Sequence, residues 1–183
     1  MQAQSKFDFT NVKWKKIDRE KAEFIYSEAI ARLDAIHKGN DAITNKATGM
    51  LSFSMPVLTA LIGFIVSQWE VAKAPVLAAS ICASFFLLAI LILLLFILIP
   101  KGINSAQGEP STYLGNGYYL ESMETFLKGN IEILQDYIEK DGFIQRSRAD
   151  IYRAAVLLYA IFPVSSAVFW AVISVCTKPC PFY

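Results

Sequence analysis

The sequence has few of the residues that usually carry out catalysis. It contains one histidine, His37, and three cysteines. It has no glycine-rich phosphate loop, no HExxH segment and no paired-cysteine zinc motif. A lone histidine near a helix end is typically structural or solvated, and the acids between Glu121 and Glu139 have the spacing of a solvated helix face. We therefore expect a protein that is not an enzyme and that holds no metal or other cofactor.

Net charge is also nearly absent. Lysine and arginine number 17 against 16 aspartates and glutamates, which gives a formal charge of +1. A dedicated nucleic-acid surface normally shows a strong basic excess, so we expect no direct binding to duplex DNA. A secretory signal peptide is not expected either. The first apolar stretch starts at Ala47, behind a charged segment, and is too long for the apolar region of such a signal.

Three stretches contain no charge at all: Ala47–Trp69, Val76–Ile99 and Ala154–Cys176. About 20 apolar residues, rising 1.5 Å each, cross a bilayer core of roughly 30 Å. The sequence therefore predicts an all-α integral membrane protein with three transmembrane helices. Ionisable residues inside spans usually mark proton relays and ion-coupled transport. Their absence argues against a pump or a secondary transporter.

The basic residues indicate the orientation in the membrane. Fifteen of the 17 lie before the first span or between Lys101 and Arg153, and only Lys73 and Lys178 lie elsewhere. The positive-inside rule then places the N-terminus and the 100–153 segment in the cytoplasm. Four parts follow. Residues 1–46 form a cytoplasmic arm and helix, and 47–99 a transmembrane hairpin. Residues 100–153 form a cytoplasmic loop and helix, and 154–183 the third span with a short outer tail.

Two amphipathic helices are predicted in the cytoplasmic parts. The first covers Asp18–Lys38, with Asp18 as N-cap and Gly39 as a stop or hinge, and the second covers Tyr118–Lys140 and ends at Gly142. They either pack together into a small helical domain or lie flat on the inner leaflet. Acids on the second helix favour the packed domain, because an anionic leaflet would repel them. The apolar stripes are Ala22, Ile25, Tyr26, Ala29, Ile30, Leu33 and Ile36, then Leu120, Met123, Leu127, Ile131, Leu134 and Ile138.

The first span is the richest in hydroxyls and glycines. Such residues suit either close helix packing or the wall of a pore, and both interpretations stay open. Because the second span is saturated with Leu, Ile and Phe, we expect it to face lipid. Three spans are too few to enclose an aqueous path, so a pore requires a homo-oligomer, for which we expect a tetramer. The predicted pore-lining residues are Ser52, Met55, Thr59 and Ile62.

Polar and basic residues gather in the sequence before the first and third spans. They serve either as topology anchors or as a site for a phosphate-bearing ligand, since a guanidinium fork matches phosphate geometry. The predicted ligand-binding residues are Lys38, Asn40, Asn45, Lys46, Arg146 and Arg148, with Gly39 as the hinge. Asp41 is a candidate cap for the helix that enters the first span. Cys176 and Cys180 either pair as a disulfide or stay as thiols.

The segment Asp-Ala-Ile-Thr-Asn-Lys-Ala-Thr-Gly-Met-Leu, residues 41–51, resembles small membrane effectors of bacterial anti-phage systems. These are the Pycsar transmembrane effectors and the related SLATT-type proteins. The second span ending in Ile99-Pro100 and the late third span match their layout. The resemblance implies a bacterial inner-membrane effector, controlled by a nucleotide signal from a partner synthase, that permeabilises the membrane. A membrane-anchored scaffold or accessory subunit without conduction is the alternative.

Overall fold

The computed structural model describes residues 9–70, 73–100, 102, 104 and 122–176, and all regular structure in these ranges is helical. Two short 3-10 helices, Phe9–Asn11 and Trp14–Lys16, precede three α-helices. We number these α1 (Arg19–Gln68), α2 (Ala74–Leu98) and α3 (Met123–Cys176). Each is long and apolar enough to cross a membrane. Within the described residues, the predictions of purely helical regular structure and of three helices that could span a membrane are confirmed.

Helix α1 begins where the sequence predicts and ends much later. The Asp18 carboxylate accepts a hydrogen bond from the Lys21 backbone N–H at 2.9 Å, which confirms it as the N-cap. Hydrogen bonds from Lys21 hold the pKa of Asp18 below its ordinary value. The predicted stop at Gly39 and cap at Asp41 are wrong, because α1 continues through both for 50 residues. A glycine inside a helix costs only about 1 kcal/mol, which packing on both sides of it outweighs.

Helix α3 is also a single helix where two were predicted. The Ser122 hydroxyl accepts the Thr125 backbone N–H at 3.3 Å and caps a helix that starts at Met123. The predicted start at Tyr118 lies outside the described residues, but Ser122 itself is not helical. Gly142 does not end the helix, which runs 54 residues to Cys176. A Cβ atom at Gly142 would lie 3.7 Å from Ile36 Cδ1, an ordinary packing distance.

Helix α2 keeps the predicted boundaries closely. Pro75 lies in its first turn, where a missing N–H costs nothing, and Pro100 follows its last residues. Its length of 25 residues matches one crossing. In contrast, α1 and α3 have 50 and 54 residues, about twice what the hydrocarbon core requires. More than half of each long helix is therefore outside the hydrocarbon when its apolar segment spans the bilayer.

The chain divides into two compact units. Unit 1 comprises Met1–Asp41 and Lys101–Ser147, and unit 2 comprises Ala42–Pro100 and Arg148–Tyr183. Both divisions fall inside a helix, within α1 after Asp41 and within α3 after Ser147. Cys180 lies outside the described residues, so both alternatives for Cys176 and Cys180, a disulfide and unpaired thiols, stay open.

The core of unit 1 forms between parallel segments of α1 and α3. Trp14 and Ala22 border one cavity with residues 124–128, and further along both segments His37 contacts Asp141. Residue numbers therefore rise in the same direction in the two segments. Most described members of the two predicted apolar stripes are buried or partly buried, but Ile25 and Met123 are exposed. Leu120 lies outside the described residues. The fully buried apolar side chains are Ala22, Leu33, Ile36, Leu127, Ile131 and Leu134.

The core of unit 2 is built around α2. Its cluster of buried residues contains Ala47 from α1, Ala155 from α3, and four side chains from α2 spaced by three or four residues: Leu87, Ile90, Leu94 and Ile97. One side of α2 is therefore buried within the chain, so the prediction that the whole second span faces lipid is wrong for that side. Small residues at positions 47 and 155 let the helix backbones approach closely, as is common between spans.

We predict that Ala155→Leu destabilises the protein, whereas Ala154→Leu does not. Ala155 is fully buried, so three added carbon atoms must displace the core, at a cost of about 1–3 kcal/mol. Its neighbour Ala154 is exposed, so leucine there displaces no buried side chain. Thermal unfolding in detergent, followed by circular dichroism, measures both. Equal midpoints for the two variants would contradict the packing of unit 2.

Candidate functional site

The six predicted ligand-binding residues divide evenly between the units: Lys38, Asn40 and Arg146 in unit 1, and Asn45, Lys46 and Arg148 in unit 2. Lys38, Asn45, Lys46 and Arg146 are exposed, while Asn40 and Arg148 are buried.

Lys38 is already engaged on the surface of α1. Its ammonium lies 2.7 Å from the Asp34 carboxylate, one helical turn earlier. This hydrogen bond, with the attraction between the charges, raises the pKa of Lys38 above its ordinary value. Lys38 therefore stays protonated throughout the physiological range. An anionic ligand would have to compete with Asp34 for it.

Gly39 lies at a close approach between α1 and α3. A Cβ atom built at this position would fall 1.8 Å from the Gln145 side-chain nitrogen, so any other residue requires Gln145 to move. Glycine is thus explained here by space, since α1 is regular through this residue. The predicted role of Gly39 as a hinge is a separate matter, which a static helix does not test.

The most enclosed polar group of unit 1 is one that sequence reasoning missed. Asp141 is 0% exposed. Its Oδ2 lies 3.1 Å from His37 Nε2 and accepts the Asn104 backbone N–H at 3.1 Å. Its Oδ1 accepts a hydrogen bond from Asn104 Nδ2 at 2.9 Å. Two hydrogen bonds donated by Asn104, together with the contact to the His37 ring nitrogen, compensate for the removal of this carboxyl group from water.

Asp141 joins three separate segments of unit 1. It belongs to α3, His37 to α1, and Asn104 to the connection that follows α2. In the sequence, the burial of Asp141 is indicated by its spacing from the apolar residues of the same helix. Asp141 follows Leu134 by seven residues, as Leu134 follows Leu127, and so continues the apolar stripe of the helix. An acid at such a position points to a buried carboxylate with partners of its own.

In unit 2, Arg148 holds the end of α2. Its side chain is 5% exposed, and Nη2 donates a hydrogen bond to the Ile99 carbonyl at 3.0 Å. A cation at a helix C-terminus meets carbonyls that have no partner within the helix, and it stabilises the negative end of the helix dipole. This structural role accounts for the burial of Arg148.

The four predicted pore-lining residues lie on one exposed side of α1. Ser52, Met55, Thr59 and Ile62 follow one another at spacings of three and four residues, and all are exposed in the single chain. The Thr59 hydroxyl donates to the Met55 carbonyl at 3.0 Å. Ile62 also borders an apolar groove of about 200 Å³ against α2.

A buried serine lies on a different side of the first span. Ser54 is 0% exposed, and its hydroxyl has no hydrogen-bond partner among the described residues. The hydroxyls of the first span are therefore not all on the predicted pore side.

In the part of the chain that the structure describes, no group of three or more His, Cys, Asp or Glu side chains could hold a metal ion. Comparison with protein-family models, with curated proteins and with solved structures finds no match.

We predict that Asp141→Ala destabilises unit 1 far more than Asp34→Ala. Removing Asp141 leaves buried N–H groups without an acceptor, at a cost on the order of 2 kcal/mol. Asp34 forms an exposed pair with Lys38, which is worth less than about 1 kcal/mol.

Hydrogen exchange measured by mass spectrometry shows whether the Asn104 amide is still protected in each variant. Exchange at the Asn104 amide should accelerate in Asp141→Ala and stay unchanged in Asp34→Ala. Unchanged exchange at Asn104 in both variants would show that Asp141 does not hold this segment.

Proposed function

We propose that this chain is an oligomeric effector of the bacterial inner membrane. In this proposal it forms a pore gated by a nucleotide-derived signal and disrupts membrane integrity in anti-phage defence. The observation that carries the proposal is the exposed side of α1 formed by Ser52, Met55, Thr59 and Ile62. It combines hydroxyls with apolar residues, and no other part of the described chain covers it. Apolar residues between hydroxyls can close a pore by dewetting.

An oligomer is required because one copy offers only three candidate spans. A closed ring around the α1 side would enclose a path lined by the same residues from each copy, and a tetramer is the expected ring. The apolar outer faces of α2 would then meet lipid. Without charged residues in the spans, charge selectivity is weak or is set at the mouth of the pore.

Unit 1 is proposed as the cytoplasmic sensor. The excess of basic residues before the first span and between the second and third spans supports an N-terminus inside the cell. In unit 1 the proposed ligand-binding set comprises the exposed Lys38 and Arg146 and the buried Asn40. Its other members, Asn45, Lys46 and Arg148, belong to unit 2.

Helix continuity supports transmission from sensor to span. Each helix is continuous, from Arg19 to Gln68 and from Met123 to Cys176, and lacks a backbone donor only at Pro56 and Pro163. A ligand that binds one arrangement of the unit 1 helices better than another shifts the balance of the spans by that difference in affinity. The resemblance of residues 41–51 to anti-phage effectors suggests a partner synthase as the source of the signal.

We predict that Ile62→Ser and Met55→Ser open the proposed pore without a signal. Replacing an apolar constriction by a hydroxyl removes the barrier to water, so small-ion leakage from proteoliposomes should rise at least tenfold, and expression should be toxic. Ile92→Ser is the matched control, since Ile62 and Ile92 are 49% and 47% exposed, on α1 and α2.

Mass measurement in mild detergent accompanies the flux experiment and should show a multimer. A monodisperse monomer, or leakage unchanged in both α1 variants, would refute the pore and favour the non-conducting scaffold. Equal leakage from Ile92→Ser would show that the effect is not specific to the α1 side.

A second prediction separates the two explanations of Gly39. If Gly39 is a hinge, Gly39→Ala alters nucleotide-stimulated flux several-fold, and adding Gln145→Ala leaves the defect in place. If the glycine serves only to make room for Gln145, the variant with both Gly39→Ala and Gln145→Ala has the same flux as the variant with Gln145→Ala alone. Flux is measured with a panel of linear and cyclic nucleotides, and membrane insertion is checked for each variant. Recovery in the double variant would refute the hinge.

A further inference from the structure

Pro56 interrupts the backbone hydrogen bonds of α1 within the first uncharged stretch, Ala47–Trp69. Proline has no backbone N–H, so the carbonyl four residues earlier, that of Ser52, receives no bond from its usual helical donor. A carbonyl without a partner is costly in the bilayer core, where no water replaces the lost bond. The Ser52 carbonyl is therefore open to a partner from outside the backbone of α1.

The side chain of Ser52 also lacks a partner. Thr48 and Thr59 each donate their hydroxyl to a carbonyl one turn earlier on α1, at 2.9 and 3.0 Å. The Ser52 hydroxyl forms no hydrogen bond with any described residue. Ser52 and Pro56 are both exposed, so no other segment of the described chain covers this part of α1. One residue thus presents two oxygens, one from the backbone and one from the side chain, at the same depth.

Ser52 lies on the side of α1 that is proposed to line the pore. Asn45 and Thr48, which precede it at helical spacing, are exposed as well. Lys46 is the nearest charged residue along α1, six residues or about 9 Å from Ser52. It follows Asn45 directly, so its side chain points about 100° away from that residue. Its charge therefore acts at the mouth of the proposed pore, where salt screens it over about 8 Å.

We propose that the Ser52 oxygens of neighbouring copies together bind an alkali-metal cation such as K⁺. This inference rests on the proposed pore, because a single chain supplies only one carbonyl and one hydroxyl. In a closed ring every copy adds the same two oxygens at one depth, and such oxygens replace the water around a cation. Divalent cations are disfavoured, because these ligands carry no charge and Mg²⁺ loses its water reluctantly.

The site gives the weak selectivity of the proposed pore a definite sign. The spans contain no charged residues, so the preference comes from the dipoles of neutral groups. A carbonyl oxygen only accepts hydrogen bonds, and its negative end attracts cations and repels anions. Pro56 acts as a positioning residue, because it keeps the backbone N–H of α1 away from the Ser52 carbonyl.

Reversal potentials in planar bilayers under a KCl gradient test the site, with Ile62→Ser as the open starting protein. Its permeability to K⁺ should exceed that to Cl⁻ several-fold. Pro56→Ala and Pro56→Gly both return an N–H to the Ser52 carbonyl, so each should remove most of this preference. Alanine also favours a straight helix, whereas glycine keeps it easy to bend, so loss in both variants assigns the effect to the N–H. Ser52→Ala removes only the hydroxyl and should lower the preference in part.

Pro163→Ala is the matched control. Pro163 lies inside α3, and the carbonyl that it frees belongs to Tyr159, which packs against the core of unit 2. This variant should leave the preference for K⁺ unchanged. Circular dichroism and mass measurement in mild detergent check that each variant is folded and assembled.

The possible outcomes separate the site from the pore. No current from Ile62→Ser would refute the pore, and the cation site with it. A current without cation preference would refute the site and leave the pore in place, as would a preference that both Pro56 variants retain. A preference for Cl⁻ would show that Lys46 at the mouth sets the selectivity, and would equally refute the site.

Discussion

The structure depends on burial that repeats every seven residues along two very long helices. Each of these positions is at most 5% exposed: Leu33, Asn40, Ala47 and Ser54 on α1, and Leu127, Leu134, Asp141, Arg148 and Ala155 on α3. A seven-residue period is typical of helices that pair side by side over many turns. Within unit 1 the two segments run parallel, and in unit 2 both helices contribute a buried alanine to one cluster. This repeat explains how α1 and α3 stay helical through Gly39 and Gly142.

Four of those nine positions are polar, which is costly unless each group is satisfied. Asp141 receives three hydrogen-bonding partners, and Arg148 donates to the end of α2. Asp141 and Arg148 restrict the pairing to one register, because a shifted register leaves them unsatisfied. The Ser54 hydroxyl has no partner among the described residues and adds no such restriction. Asp141 and Arg148 also attach the segments around the C-terminal end of α2. Asp141 holds Asn104 within unit 1, and Arg148 holds Ile99 within unit 2.

The pore proposal rests on the exposed side of α1 that is formed by Ser52, Met55, Thr59 and Ile62. Thr59 satisfies its hydroxyl on its own helix, as do Thr48, Ser80 and Ser84. Thr59 can therefore face lipid without an unpaired hydroxyl. The character of this side as a water-filled surface would arise only on assembly, when copies of the same side face each other. For that reason subunit stoichiometry and ion flux belong to the same experiment.

Much of the fold follows from sequence alone. Uncharged stretches of more than twenty residues require three candidate spans, Asp18 caps α1, and Pro75 and Pro100 bound α2, because each of these effects acts within a few residues. Local patterns did not predict that α1 and α3 are continuous, that α2 supplies most of the unit 2 core, or that Asp141 and Arg148 are buried. A glycine ends a helix or is carried through it according to what packs beside it, and a charge is buried only where another segment brings its partners. Those partners come from distant parts of the chain, Asn104 for Asp141 and Ile99 for Arg148, so only the tertiary structure decided them.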